Sequence, residues 1–291
     1  MTVQWPKFFR RIILRACYIL AILPLCVAFA LEPVPEPQNE TLVVTPMIAL
    51  IIDDLGNQRL PGLRAIALDA PIACAIMPHT AHSTYLANKA HASGKEVILH
   101  LPMQPVEMNR IAGPGEISLD NDRAELKYIL KQNLLSVPHS VGVSNHMGSL
   151  VTRHPGHMRW LMQELAHNGD LFFVDSFTTP DSVAYTIALE TGIPAARRHF
   201  FLDNVPTTAA IEQQVNRLKQ HAKNYGYAIG IGHPYPATLD YLQTALPEFE
   251  KQGFKIVPVT QIITLLESMA TQPTLASELP EAAHSALVHV H

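Results

Sequence analysis

The chain has 291 residues, 48% hydrophobic and 16% charged, with a net charge of −4 at pH 7. An acidic balance without a lysine- or arginine-rich patch argues against nucleic acid as a partner. Of the three cysteines, only Cys74 lies in the segment that reads as folded, so no internal disulfide is expected and Cys74 reads as a small buried apolar residue.

Residues 1–30 have the pattern of an export signal. Lys7, Arg10, Arg11 and Arg15 form a basic start, residues 17–27 are apolar, and Ala28-Phe29-Ala30 fits a small-x-small cleavage site. The apolar run is shorter than the about 20 residues a membrane span needs, and an uncleaved anchor is the alternative. The expected location is the periplasm, with membrane contact only through this segment if it stays attached. Its removal takes away four basic residues and no acid, leaving the rest more acidic. Residues 31–46 carry Pro33, Pro35, Pro37 and Pro46 and read as a linker. Residues 47–269 form one uninterrupted alternating segment, ample for a single core. Residues 270–291, rich in Ala, Pro and Ser, read as a disordered tail.

Within 47–269, short apolar runs end in polar, ligand-capable residues. Residues 48–52 lead to Asp53-Asp54, 72–78 to His79, 96–99 to His100, and 141–144 to Asn145-His146. Further on, 171–174 lead to Asp175, 199–202 to Asp203-Asn204, and 228–232 to His233. A last strand is expected at 255–259. Continuous apolar runs, rather than alternating ones, indicate strands covered on both faces, as in a parallel sheet. Intervening segments read as helices. Residues 122–135 place Leu126, Ile129, Leu130 and Leu134 on one stripe, with Asp120 or Asn121 as the N-cap. Further helices are expected at 155–167, 180–190, 207–225, 238–251 and 260–269. About seven to eight strands alternating with helices predict a (β/α) barrel first and an open doubly wound sheet second. No glycine fingerprint follows the first strand, so nucleotide binding lacks support.

In either parallel fold the C-terminal strand ends share one face, so these polar residues converge. Carboxylates and imidazoles in one cleft suit a divalent metal, acid–base chemistry, or both. Adjacent Asp53 and Asp54 should point to opposite sides of the strand, one toward a cation and the other toward the attacking water. His100, held in a proline-rich loop, and His146 are candidate ligands. Asn145 is placed to orient a group or bind substrate. His233, fixed between Gly232 and Pro234, reads as a general acid. Asp175 reads as a carboxylate partner for an imidazole. His79, Asp203 and Asn204 carry no clear preference. His199 precedes its strand and should face the other end. His82, His91, His154, His157, His167 and His221 read as solvated surface.

Ile51-Ile52-Asp53-Asp54-Leu55-Gly56, the run from His100 to Pro105, Asn145 to Ser149, Val174-Asp175-Ser176 and Gly232-His233-Pro234 together resemble the divergent polysaccharide deacetylases. The resemblance covers nearly all of the folded segment. It implies a distorted (β/α) barrel related to the metal-dependent polysaccharide deacetylases. It also implies that Asp53 is the base, that Asp54 and His100 bind metal, and that His233 is the acid. In those enzymes a second His follows the first by four positions; here Gln104 stands there. His146 matches no ligand motif of those enzymes directly; with Asp54 and His100 it is expected to complete a set that suits Zn²⁺ with one position open for water. The resulting expectation is deacetylation of an N-acetylated glycan such as peptidoglycan. The competing expectation is a catalytically inactive envelope protein that binds or senses glycan on the same fold.

Overall fold

The computed structural model describes residues 45–107 and 109–271. The expected export segment, nearly all of the proline-rich linker, and the tail beyond 271 lie outside the described residues. The elements run β1 (Met47–Leu55), α1 (Arg59–Ile66), β2 (Ala73–Ile76), α2 (Ser83–Ala92), β3 (Glu96–Met103), α3 (Arg123–Ser136) and β4 (Ser140–Met147). A 3-10 turn (Val151–Arg153) leads into α4 (Pro155–Ala166), β5 (Phe172–Asp175), α5 (Ala184–Glu190), β6 (Ala195–Arg197) and β7 (Phe200–Phe201). The chain continues as α6 (Thr208–Tyr225), β8 (Tyr227–Gly232), α7 (Pro236–Lys251), β9 (Lys255–Ile256) and α8 (Val259–Thr271).

The described strands pair in parallel, in the order β6-β5-β4-β3-β2-β1-β8-β7. β9 pairs with the first two residues of β1, before β2 takes over at Ile51. The two outermost strands, β6 and β7, are separated in the chain only by Arg198 and His199. The Arg198 N–H donates to Asp175 O on β5 (3.0 Å), and the His199 N–H donates to Ile229 O on β8 (3.0 Å). The chain therefore steps across the seam of a distorted barrel. An open doubly wound sheet would leave those edges far apart, and it is excluded.

Alternate strand residues face inward. Ala49, Ile51, Ala73, Ala75, Ile98, Val174, Ile229 and Ile231 form one cluster with Val259, Ile262 and Ile263 of α8. Helix α8 thus closes the N-terminal end. Its first N–H groups would be orphaned there, but Glu96, the opening residue of β3, accepts from Val259 N (2.7 Å) and Thr260 N (3.1 Å). A carboxylate at that point also opposes the positive end of the helix dipole. The outward residues, such as Leu50, Ile52, Leu99 and Phe173, pack against the surrounding helices.

Several boundaries differ from the sequence expectation. The cap of α3 is Asp122, in a reciprocal capping box with Glu125, instead of Asp120 or Asn121. Helix α5 starts at Ala184 instead of residue 180, because Ser182 Oγ is drawn to the Asp175 carboxylate (2.9 Å) and holds a turn there. The last strand is two residues long, since Val259 already opens α8.

Candidate active site

The C-terminal end of the barrel is polar. β1 carries a bulge: Ile52 pairs with Cys74 and Leu55 with Ile76, so β1 advances three residues while β2 advances two. Asp54 sits at the extra position with φ +59°, a left-handed conformation that Asp tolerates better than most residues. The bulge overturns the expected alternation. Both carboxylates turn toward the inside instead of to opposite sides. His100 extends the inner row of β3 beyond Ile98. His146 comes from β4, and His233 follows Gly232, the β8 partner of Ile52.

Three ligand atoms meet. Asp54 Oδ1 lies 2.8 Å from His146 Nδ1 and 3.2 Å from His100 Nε2, and the two imidazole nitrogens are 3.2 Å apart. Asp54 Oδ1 is buried and makes no well-directed hydrogen bond. His100 Nδ1 is already occupied by Ser144 Oγ (2.8 Å). One proton cannot satisfy three converging acceptors, whereas one cation can. An ion bonded at about 2.0–2.2 Å in tetrahedral geometry separates its ligands by roughly 3.3–3.6 Å, a few tenths of an ångström wider than the three atoms stand here. The side chains present therefore fit a divalent metal, and they are the one such group of His, Cys and acidic residues among the described residues.

The acid–base groups flank this set. Asp53 is buried, with Oδ2 3.5 Å from His100 Nε2 and Oδ1 without a partner. Burial raises its pKa and the Asp54 charge adds to that, against the pull of His100 and His233. Asp54 behaves oppositely: burial alone would raise it, but the adjacent His100 and His146 rings hold it well below the usual carboxylate range. His233 Nδ1 lies 2.8 Å from Asp203 Oδ1, and its backbone N–H donates to Asp203 Oδ2 (2.6 Å). Thr238 Oγ1 donates to the same oxygen (2.6 Å). Burial opposes the imidazolium, yet Asp203, helped by Asp53 and Asp54, pushes its pKa up to about 9. Nδ1 is thus committed to Asp203, leaving Nε2 as the free proton-bearing atom, 4.0 Å from Asp54 Oδ2.

The remaining expected residues have other duties. Asp175 is not an imidazole partner: it ends β5 at an outward position, and its carboxylate accepts from Phe177 N (2.8 Å) and Ser182 Oγ. Asp203 takes that role instead. Gln104 does not reach the ligand set; its Oε1 accepts from Leu119 N (3.0 Å), and His146 occupies the third corner. Asn145 is fully buried, accepting from Ser176 N and donating to Met147 O (both 2.8 Å). It ties the ends of β4 and β5 together, with both ends of its amide engaged. His79 bonds Asn133 Oδ1 on α3 (2.9 Å). His199 accepts from Ile229 N (2.9 Å), away from the ligand set. His157, expected on the surface, is buried with Nε2 near Asn121 O (3.1 Å). Two contributors carried no signal in the sequence. Ser144 buttresses His100. Arg198, at the seam, donates to Ser176 O (2.7 Å) and Phe177 O (2.9 Å) and packs over the Phe201 ring (3.7 Å).

Residues 50–263 match the family described as divergent polysaccharide deacetylase. The chain belongs to that family. It is 37% identical over 206 residues to the protein YibQ of Escherichia coli (strain K12), a match covering 69% of this chain and 62% of that one. The chain thus spans less than two thirds of that relative. A protein of Haemophilus influenzae (strain ATCC 51907 / DSM 11121 / KW20 / Rd) is 34% identical over 199 residues, covering 68% of this chain and 70% of its own length. The crystal structure of ATU2773 from Agrobacterium tumefaciens C58 superposes with a TM-score of 0.71 at 20% identity, covering 75% of this chain and 89% of that one. That likeness shows the fold is shared.

Proposed function

We propose that the protein is a metal-dependent deacetylase acting on an N-acetylated polysaccharide of the cell envelope, peptidoglycan being the first substrate to test. One observation carries this reading: a buried carboxylate with one free oxygen, Asp53, and an imidazole held by a carboxylate, His233, both lie within 4.0 Å of a three-ligand set. Amide hydrolysis needs a base for water, an acid for the amine, and an electrophile between them. A divalent ion held by Asp54, His100 and His146, with Zn²⁺ favoured by the two imidazoles, would supply Lewis acidity for the acetyl carbonyl and the attacking water.

The residues of the chain divide the proton work. Asp53 Oδ1 has no hydrogen bond to give up, and its raised pKa makes it a stronger base than an exposed carboxylate. It takes the proton from water. His233 Nε2 delivers a proton to the departing nitrogen, and Asp203 fixes the tautomer and steadies the charged ring. Ser144 Oγ sets the orientation of His100. Gln104, bonded to Leu119, stays out of the ligand set, and His146 supplies its third member. We place the protein in the periplasm, exported through residues 1–30. Metal analysis of the purified protein, followed by assay of acetate released from peptidoglycan fragments, tests the reading. Stoichiometric Zn²⁺ with acetate release is expected. A protein that takes up no metal would overturn the hydrolase and restore the binding protein.

A further inference from the structure

Beside His233 stands a side chain to which the fold assigns no work. Tyr235 is 43% exposed and occupies the N-cap of α7, yet its side chain makes no capping hydrogen bond. Pro234 and Pro236 hold its backbone on both sides, with φ −70° and ψ 144°. Its ring lies 5.4 Å from the His233 ring at an interplanar angle of 28°. Phe201 approaches the same imidazole at 6.0 Å and 26°, and Arg198 covers Phe201. These groups form a short stack ending at the exposed Tyr235. Among the described residues the other exposed aromatics differ: Tyr85 is engaged by Arg59 (3.1 Å), and Tyr128 lies on α3, which carries none of the site residues.

We infer that Tyr235 is the sugar platform of the site, stacking on the apolar C–H face of the pyranose ring that bears the acetamido group. This rests on the deacetylase reading and names what it leaves open, the residue that holds the sugar. The geometry is restrictive. His233 Nε2 must come within hydrogen-bond reach of the amine nitrogen, and that nitrogen is bonded directly to a ring carbon. The ring must therefore lie close to the imidazole, and the half-exposed Tyr235 ring stands 5.4 Å from it. A flat aromatic face matches a pyranose with axial hydrogens on one side, and the phenol edge stays wet to meet hydroxyl groups. A rigid backbone lowers the ordering cost of such a contact.

The test uses the full chain and the N-acetylglucosamine trimer as probe. Binding is followed by calorimetry and tyrosine fluorescence, and released acetate is assayed in the same samples. Tyr235→Ala should weaken trimer binding roughly 3- to 10-fold, while Tyr235→Phe keeps it. The thermal midpoint should not move, because the side chain neither caps nor fills the core. Equal binding by wild type and Tyr235→Ala would overturn the platform, even with acetate still released. No binding of the trimer by wild type would overturn it for this class of sugar. Tyr235-dependent binding without acetate release would sink the deacetylase and leave the platform standing.

Discussion

The two ends of the barrel are built on opposite terms. At the N-terminal end, Val259, Ile262 and Ile263 fill the interior and Glu96 satisfies the orphan N–H groups of α8. At the C-terminal end, Asp53 Oδ1, Asp54 Oδ1 and Ser176 Oγ are buried without a well-directed hydrogen bond. Among the described non-glycine residues, Asp54, His79, Met147 and Phe177, all at or just beyond strand ends on that side, have positive φ, against His139 at the other end. One end has been optimised for stability. The other carries local strain and unmet polarity, which a compact domain tolerates where it binds or reacts.

Mutations should separate the two ends. The largest effect is expected from Asp53→Asn, which removes only the base: kcat for acetate release should fall about 10²- to 10⁴-fold while metal content measured by atomic absorption stays stoichiometric. Loss of metal along with activity would move Asp53 into the ligand set. His146→Ala should abolish stoichiometric Zn²⁺ in a calorimetric titration, since it deletes one of three ligands, while the circular dichroism spectrum stays native. At the other end, Ile262→Ala should cost about 2–5 kcal/mol in chemical denaturation, because it hollows a fully buried position, and leave Zn²⁺ affinity unchanged. A change in affinity would show that the ends are coupled. Ser144→Ala should weaken Zn²⁺ binding by roughly 10-fold through a less constrained His100.

The smallest effect concerns pH. The folded pKa of His233, about 9, lies above its ordinary value of 6.5. The His233–Asp203 pair therefore contributes stability in full below pH 6.5, and that contribution fades as pH rises through 9. In the metal-free protein, Asp203→Asn should flatten the decline in thermal midpoint between those values. It should also shift the His233 titration, followed by NMR, downward. An unmoved titration would mean that other charges hold the proton.

The site was legible to the extent that it is written at strand ends. Asp53, Asp54, His100, His146 and His233 each follow an apolar run, and parallel strands bring such positions together whatever their separation in the chain. Asp203 is also a strand-end residue, but its pairing with His233 thirty residues later depends on the β7–β8 contact, which no local pattern reports. Asp175 has the same local signature and turns outward, because its strand ends one residue earlier relative to the inward row. Strand β6 escaped notice because Ala195, Ala196 and Arg197 lack the β-branched and aromatic residues that mark strands. The seam it forms with β7 could not be foreseen without it.

The bulge in β1 behaves like a shift of reading frame for side chains. Up to Asp53, odd positions face inward; after it, Leu55 faces the helices. Removing one residue there would let β1 and β2 pair two for two from Ile52 to Leu55, and the ladder would run without interruption. The second carboxylate is thus an insertion into a strand that could close without it. A single-codon deletion at this point should give a sheet at least as well paired and a ligand set short of its carboxylate, with no Zn²⁺ uptake in a calorimetric titration. The ligand set thus hangs on one residue more than the sheet requires.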